Sequence, residues 1–218
     1  MQRVPEPELM DDDHQAVAYA RADFSTSDQW FVDHLAAEFP DHLRRVVDLG
    51  CGPAGVLLRL ASAVPGARIT GADGSEPMLR LGRQAVQDAG HAGRVDLVQG
   101  LIPGLPLEAH AFDAVISKDL LHHLHDPSVL WAEVARLGRP GAAVYVMDLF
   151  RPESIEAARA MTHAVVSRED PVLQQDFFNS LIAAFTVDEV RAQLRDANLP
   201  LSVAQVSARH LVIKGLLP

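Results

Sequence analysis

The chain has 218 residues with a formal net charge of −10, a length that predicts one domain. Its 48% hydrophobic and 22% charged residues are ordinary for a globular protein and exclude disordered and disulfide-rich classes. The acidic balance disfavours a nucleic-acid partner or an anionic membrane, and the single cysteine, Cys51, fits a cytoplasmic location without a disulfide or a multi-cysteine metal site.

The first 40 residues are predicted to form an acidic arm and two helices. Residues 1–13 hold two prolines and five acids, a composition typical of a solvated arm without a leader sequence. Apolar residues then recur at helical spacing from His14 to about Phe39, with a break near residues 25–27. Ser27 or Asp28 is expected to cap the second helix.

Between residues 41 and 149, short apolar segments alternate with helical ones. The predicted strands are 45–49, 68–72, 95–98, 112–117 and 143–147, and the predicted helices are 56–64, 76–88 with Ser75 as its cap, and 127–137. This alternation predicts an α/β, Rossmann-like doubly wound sheet with helices on both faces. The strands are continuously apolar, as burial on both faces requires.

The C-terminal part breaks the alternation with a helical insert over residues 150–198. Within it, Thr186 and Glu189 have capping-box spacing, so a helix is expected from Val187 to about Ala197. Two strands, 201–207 and 210–214, follow, and their tight connection makes them antiparallel. One domain is therefore expected, with a helical N-terminal segment (1–40), a core (41–149), the insert (150–198) and a terminal hairpin (199–218).

A glycine-rich loop follows the first predicted strand. It has the G-x-G-x-x-G pattern over residues 50–55, and Asp73 follows its last glycine by 18 residues. Between a strand and a helix, this pattern indicates an adenosine-containing cofactor, the alternative being a tight turn without a ligand.

The position of Asp48 discriminates between cofactors. It lies two residues before the first glycine, where a dinucleotide would place its pyrophosphate. Two unit charges ~5 Å apart interact by ~3 kcal/mol at an effective dielectric of ~20, so the carboxylate would repel that group. It would attract the sulfonium and ammonium of S-adenosylmethionine.

Five segments in chain order resemble the motifs of class I S-adenosylmethionine-dependent methyltransferases: VVDLGCGPAG, GADGSEPML, RVDLVQGLIPGLP, FDAVISKDLLHHLHDP and LGRPGAAVYVMDLF. The resemblance implies a seven-stranded sheet with an antiparallel last strand, in agreement with the predicted hairpin. It also implies that the N-terminal helices form a lid over the cofactor and that the insert covers the acceptor.

The same resemblance implies which residues bind S-adenosylmethionine and its product S-adenosylhomocysteine. Asp73 would hold the ribose, Met78 would lie against the adenine, and Tyr19 would contact the cofactor from the lid. Many family members have an acid where this chain has Leu101, so backbone amides would hold the adenine here. The expected cofactor-binding residues are Tyr19, Asp48, Gly50, Cys51, Gly52, Asp73, Gly74, Met78, Gly100, Leu101, Ile102, Ser117 and Lys118.

The expected catalytic residues are His122, His123 and Lys118, which follow the fourth strand. A histidine here could act as a general base, or could instead cap or pack. Lys118 could orient an anionic acceptor or the cofactor carboxylate, or could simply be exposed. His122 and Asp126 are four residues apart, but without an HExxH motif or a cysteine partner no metal is expected.

The sequence thus predicts methyl transfer by in-line displacement to a small-molecule acceptor through nitrogen, oxygen, sulfur or carbon. Proximity and alignment would supply most of the catalysis. Two alternatives stay open: a catalytically silent binding or regulatory protein of this fold, suggested by Leu101, and a nicotinamide-dependent oxidoreductase. The chain is expected to be a monomer or a homodimer.

Overall fold

Seven strands pair into a single mixed sheet in the computed structural model, which describes residues 1–7 and 9–218. They are β1 (Arg45–Leu49), β2 (Arg68–Asp73), β3 (Val95–Gln99), β4 (Phe112–Lys118), β5 (Gly138–Leu149), β6 (Ser202–Gln205) and β7 (His210–Leu216). Their order is β3-β2-β1-β4-β5-β7-β6, and β7 is antiparallel to both of its neighbours. The predicted fold class and the antiparallel last strand are confirmed.

Eight helices occur in the described part of the chain: α1 (Asp13–Arg21), α2 (Ser25–Glu38), α3 (Gly55–Ala63), α4 (Glu76–Asp88), α5 (Ser128–Leu137), α6 (Ile155–Val166), α7 (Pro171–Ala183) and α8 (Val187–Asp196). Short 3-10 turns cover Pro40–His42 and Leu121–His123. None of the helices in the described residues has the length and apolar character that a bilayer span needs.

The central strands bury both of their faces. Val46 and Ile116 belong to one hydrophobic cluster, together with α2 and α3 side chains. Val47 and Val115 belong to a second cluster, with α5 and α8 side chains. This two-sided burial explains why the strands are apolar without alternation.

Two predicted element starts lie well away from the observed ones. Helix α2 begins at Ser25, with Phe24 at the N-cap position; Asp28, one of the predicted caps, instead pairs with Lys118 at 3.2 Å. Strand β5 begins at Gly138 and not at residue 143, since Gly138 pairs with Phe112 across a register irregularity. Glycine and proline near the start of β5 predicted a loop, but pairing with β4 extends the strand to Gly138.

The prediction of a solvated arm was wrong for Arg3 and Glu6, which are half-buried, whereas the other residues of 1–7 are exposed; Glu8 lies outside the described residues. The Arg3 guanidinium donates hydrogen bonds to the carbonyls of His122 and Leu124, each at 2.9 Å, and stacks 3.9 Å from the Phe185 ring centre. The Val4 amide donates to the Ile182 carbonyl at 3.0 Å. We call residues 1–7 the N-terminal arm.

The capping box at Thr186, which the sequence predicted for α8, can be tested by mutation. Thr186 Oγ1 accepts from the Glu189 amide at 3.3 Å, and the Glu189 carboxylate accepts from the Thr186 amide at 2.7 Å. Thr186→Ala should lower the free energy of unfolding by about 1 kcal/mol and Tm by about 2–4 °C, measured by urea and thermal unfolding. Thr162→Ala makes the same change within α6 and should leave Tm nearly unchanged; equal losses in both variants would contradict the capping argument.

Candidate functional site

A cavity of about 980 Å³ opens where the carboxyl ends of the parallel strands meet. The glycine loop, the N-terminal arm, α1, α7 and the turn between β6 and β7 all contribute to its walls. A smaller cavity of about 450 Å³ shares Tyr19, Phe24, Gly52 and Lys118 with it. The two cavities form the candidate site.

The backbone of the glycine loop is left bare toward this site. Gly50 and Gly52 have φ angles of 74° and 51°, a region that disfavours side chains. A Cβ on Gly50 would lie 2.9 Å from the Leu120 side chain, whereas one on Gly52 would meet no heavy atom within 4 Å. Gly52 therefore borders open space in which a ligand can approach the backbone.

Asp73, at the end of β2, is held by the loop that it faces. Its two carboxylate oxygens accept hydrogen bonds from the Gly52 and Ser75 amides, each at 2.8 Å. Burial raises its pKa, and these amide bonds work in the opposite direction. Each oxygen retains a further lone pair, so the carboxylate can also accept from sugar hydroxyls.

Asp48 is the most unusual charged group of the site. Its side chain is buried at 2% exposure, it lines the smaller cavity, and its Oδ1 has no hydrogen-bond partner among the described residues. Burial, and next the Asp73 carboxylate, raise the pKa of Asp48 well above its usual range. A buried carboxylate without a partner is unfavourable, so this position favours a cationic ligand and disfavours a pyrophosphate. The donor set thus fits the sulfonium and ammonium of S-adenosylmethionine.

Lys118 is already paired, contrary to the expectation that it orients an anion. Its Nζ lies 3.2 Å from Asp28 Oδ1 and also contacts the Asp119 carboxylate. Burial alone would lower the pKa of Lys118, but Asp119 and the other negative neighbours raise it. Lys118 in turn lowers the pKa of Asp119 to about 2 in spite of burial. Two carboxylates therefore neutralise this ammonium within the cavity wall.

The two expected catalytic histidines lie together on the 3-10 turn, with ring centres 4.3 Å apart. His122 Nδ1 lies 2.6 Å from Asp148 Oδ1, and the other Asp148 oxygen accepts from the Leu121 amide at 2.7 Å. Burial opposes the charged form, but Asp148 outweighs it and raises the pKa of His122 to about 9. Burial, and next the neighbouring His122, lower the pKa of His123 to about 3. The two rings therefore differ in charge at neutral pH.

Of the other expected cofactor-binding residues, some line the two cavities and others do not. Ser117 lines neither cavity: it is fully buried and donates to the Leu49 carbonyl at 2.7 Å, so its expected contact with the cofactor is not supported. Cys51 is buried beneath the loop and borders only the smaller cavity. Leu101 is 62% exposed at the rim. The remaining expected residues that line the large cavity are Tyr19, Gly74, Met78, Gly100 and Ile102.

Several charged residues of the site were missed by the sequence reasoning. Asp148 stands near the carboxyl end of β5, a position that could have identified it. Asp28 and Asp119 gain their roles through Lys118. Glu6 comes from the N-terminal arm, where the acidic composition predicted solvent exposure, and no local pattern could have indicated its partners.

Comparisons with known proteins agree with this geometry. Residues 47–146 match a family model described as a methyltransferase domain. A Streptomyces fradiae protein, described as an uncharacterized 37.1 kDa protein in a transposon, is 31% identical over 79% of this chain and 53% of its own length. A ubiquinone biosynthesis O-methyltransferase from Dechloromonas aromatica is 38% identical over 50% of this chain and 45% of its own length. The chain thus spans about half the length of these relatives.

A solved structure shows the same fold over nearly the whole chain. It is described as a SAM-dependent methyltransferase from Aquifex aeolicus. It superposes with a TM-score of 0.71 and 18% identity, covering 95% of this chain and 99% of that one.

Removal of the Asp48 charge should stabilise the ligand-free protein. Because its pKa is raised on folding, the penalty is absent below the unfolded pKa of about 3.9 and grows as the pH rises. Asp48→Asn should therefore raise the free energy of unfolding at pH 8 by about 1–3 kcal/mol, and by less at pH 5, in urea titrations. The exposed β3 carboxylate offers the control Asp96→Asn, which should change stability by less than about 0.5 kcal/mol. A destabilised Asp48→Asn protein at pH 8 would contradict this account.

Proposed function

We propose that the chain is a class I S-adenosylmethionine-dependent methyltransferase and transfers a methyl group from S-adenosylmethionine to a small-molecule acceptor. The match of residues 47–146 to the methyltransferase-domain family model supports this proposal. The observation that carries this proposal is the buried Asp48 carboxylate, whose Oδ1 has no hydrogen-bond partner among the described residues, in the same cavity as the bare backbone of Gly52. This pair of features suits a cationic adenosine derivative and not a dinucleotide.

Residues from the glycine loop and β2 would hold the cofactor, which supplies an electrophilic methyl group when bound. Asp48 would offset its positive charge, and the Asp73 carboxylate would accept from the sugar hydroxyls. Met78, Leu101 and Ile102 provide apolar surface on the same side of the cavity for the adenine. The lid residue Tyr19, whose ring lies 4.7 Å from that of Phe24, would cover the site and exclude water.

The insert gives the cavity both apolar and polar groups. Val166, Leu173 and Phe177 are apolar, whereas Glu169 and Asp176 are acidic. Such walls favour a compact ring with polar substituents over a polymer or a strongly anionic metabolite. The ubiquinone and demethylmenaquinone methyltransferases among the partial relatives support a hydroxylated aromatic ring, such as a quinone precursor, as the first class to test.

His122 is proposed to position the acceptor. With its pKa at about 9, it holds a proton at neutral pH and is a poor general base in the observed arrangement. A protonated imidazole can donate a hydrogen bond to an acceptor oxygen. We therefore assign orientation of the acceptor to His122 and leave proton removal to the ionisation of the acceptor itself.

A thermal-shift comparison tests the cofactor. S-adenosylhomocysteine or S-adenosylmethionine at about 100 times its Kd should stabilise the protein by about 2.7 kcal/mol, and NADH should not. Each 1 kcal/mol corresponds to about 2–4 °C in Tm. Asp48→Asn should weaken binding of both sulfur ligands at least about tenfold, or about 1.4 kcal/mol, whereas Asp96→Asn should not.

Three results would redirect the assignment. A rise with NADH alone would identify an oxidoreductase. No rise with any ligand would favour a silent member of the fold. Binding without release of S-adenosylhomocysteine from a panel of hydroquinones, catechols, amines and thiols would support a binding or regulatory role.

A further inference from the structure

Three potential metal ligands converge where the N-terminal arm crosses the 3-10 turn. Glu6 Oε1 lies 3.6 Å from His122 Nε2 and 3.4 Å from His123 Nδ1. One ligand atom from each of the three residues lies within 4.8 Å of the other two. The chain thus brings one carboxylate and two imidazoles together across a long sequence separation.

The spacing suits a tetrahedral ion. With bond lengths of about 2.0–2.1 Å, tetrahedral coordination places neighbouring ligand atoms about 3.3 Å apart. The observed separations of 3.4 and 3.6 Å from Glu6 are close to that value. His123 Nδ1 also lies 3.4 Å from the Pro7 carbonyl, and it would give up that long hydrogen bond to bind the ion. They are also longer than good hydrogen bonds between these atoms, so direct pairing leaves the contact incomplete.

Asp148 orients one of the ligands. Its contact with His122 Nδ1 at 2.6 Å places a proton between those two atoms, which leaves Nε2 to present its lone pair toward Glu6 when the ring is neutral. A carboxylate behind a ligating histidine is the usual second partner in protein zinc sites. Here the Leu121 amide fixes Asp148 in turn, at 2.7 Å.

The cluster is sheltered from bulk water but open on one side. The side chains of Glu6, His122 and His123 are 9%, 3% and 14% exposed, and all three residues border the large cavity. Ser180 Oγ donates to Glu6 Oε1 at 3.0 Å, which holds the carboxylate in place. Three protein ligands next to a cavity leave a fourth position for water or an acceptor atom.

We infer that Glu6, His122 and His123 form a binding site for one divalent transition-metal ion such as Zn²⁺, Co²⁺ or Fe²⁺. Two imidazoles and one carboxylate suit these ions better than Mg²⁺ or Ca²⁺, which prefer oxygen ligands. No local motif indicates this site, because Glu6 lies on the N-terminal arm and far from the histidines in sequence. A proton on His122 Nε2 competes with the ion, so metal binding and the proposed hydrogen bond from His122 to the acceptor exclude each other.

The test uses the full chain without an affinity tag, freed of metal by chelation. Zn²⁺ titrated by calorimetry should bind with a stoichiometry of one, and Co²⁺ should give visible absorption bands typical of tetrahedral nitrogen and oxygen ligation. Glu6→Gln and His123→Gln should each weaken Zn²⁺ binding at least tenfold. Arg3→Gln, which releases the arm without altering a ligand, should weaken it by a smaller factor.

Matched controls separate this site from surface binding. Glu169→Gln changes another cavity carboxylate, and His163→Gln changes an exposed histidine of α6; both should bind Zn²⁺ as the unmodified chain does. Circular dichroism establishes that each variant is folded. Absence of stoichiometric Zn²⁺ binding, or equal losses in the control variants, would overturn the proposal. Unchanged affinity in folded Glu6→Gln would do so as well. None of these readouts depends on methyl transfer.

Discussion

The parallel sheet gathers negative charge at one edge, and the chemistry of the site follows from that constraint. Asp48, Asp73, Asp119 and Asp148 stand at or near the carboxyl ends of β1, β2, β4 and β5, which are neighbours in the sheet. Buried carboxylates are unfavourable unless each is paired or hydrogen-bonded. These carboxylates differ in their partners: Asp119 pairs with Lys118, Asp148 pairs with His122, and Asp73 accepts hydrogen bonds from backbone amides. Asp119 Oδ1 and Asp48 Oδ1 have no hydrogen-bond partner among the described residues, and of these two carboxylates only Asp119 contacts a cation through its other oxygen.

This difference between the carboxylates discriminates between adenosine cofactors better than the glycine pattern does. Read literally, the loop is a dinucleotide motif, because bare glycine backbone and a ribose-binding acid suit several adenosine cofactors equally well. Under the proposed function, the Asp48 carboxylate favours a cationic ligand, since a nearby pyrophosphate would meet a second negative charge in a low-dielectric setting. Lys118 lowers the pKa of Asp48, but burial and the Asp73 carboxylate outweigh it. The position of Asp48 is visible in the sequence, whereas its burial and its orphaned Oδ1 are visible only in the structure.

The sequence predicted those features that depend on neighbours in the chain. The strand β1, the Ser75 and Thr186 caps and the antiparallel hairpin follow from local patterns, and all are confirmed. Contacts between residues that are far apart in the sequence were not predicted. The acidic composition of the first residues indicated exposure to solvent, although Glu6 packs against His122 and His123. Lys118 was likewise expected to orient an anion or to be exposed, but it pairs with Asp28 of α2, which is distant in sequence.

The N-terminal arm shows how such distant contacts change the chemistry of a local motif. The histidine pair by itself offers two imidazoles on one turn, of which Asp148 orients the first. Glu6 adds a second carboxylate on the opposite side of His122, so a positive charge between them is favourable whether a proton or a metal ion carries it. A positive charge is likewise favourable beside the buried Asp48 carboxylate, where the proposed cofactor would supply it. Under these two proposals, cations from three sources balance the acidic carboxyl end of the sheet: Lys118 in the cavity wall, the bound cofactor, and a proton or metal ion at the histidine pair.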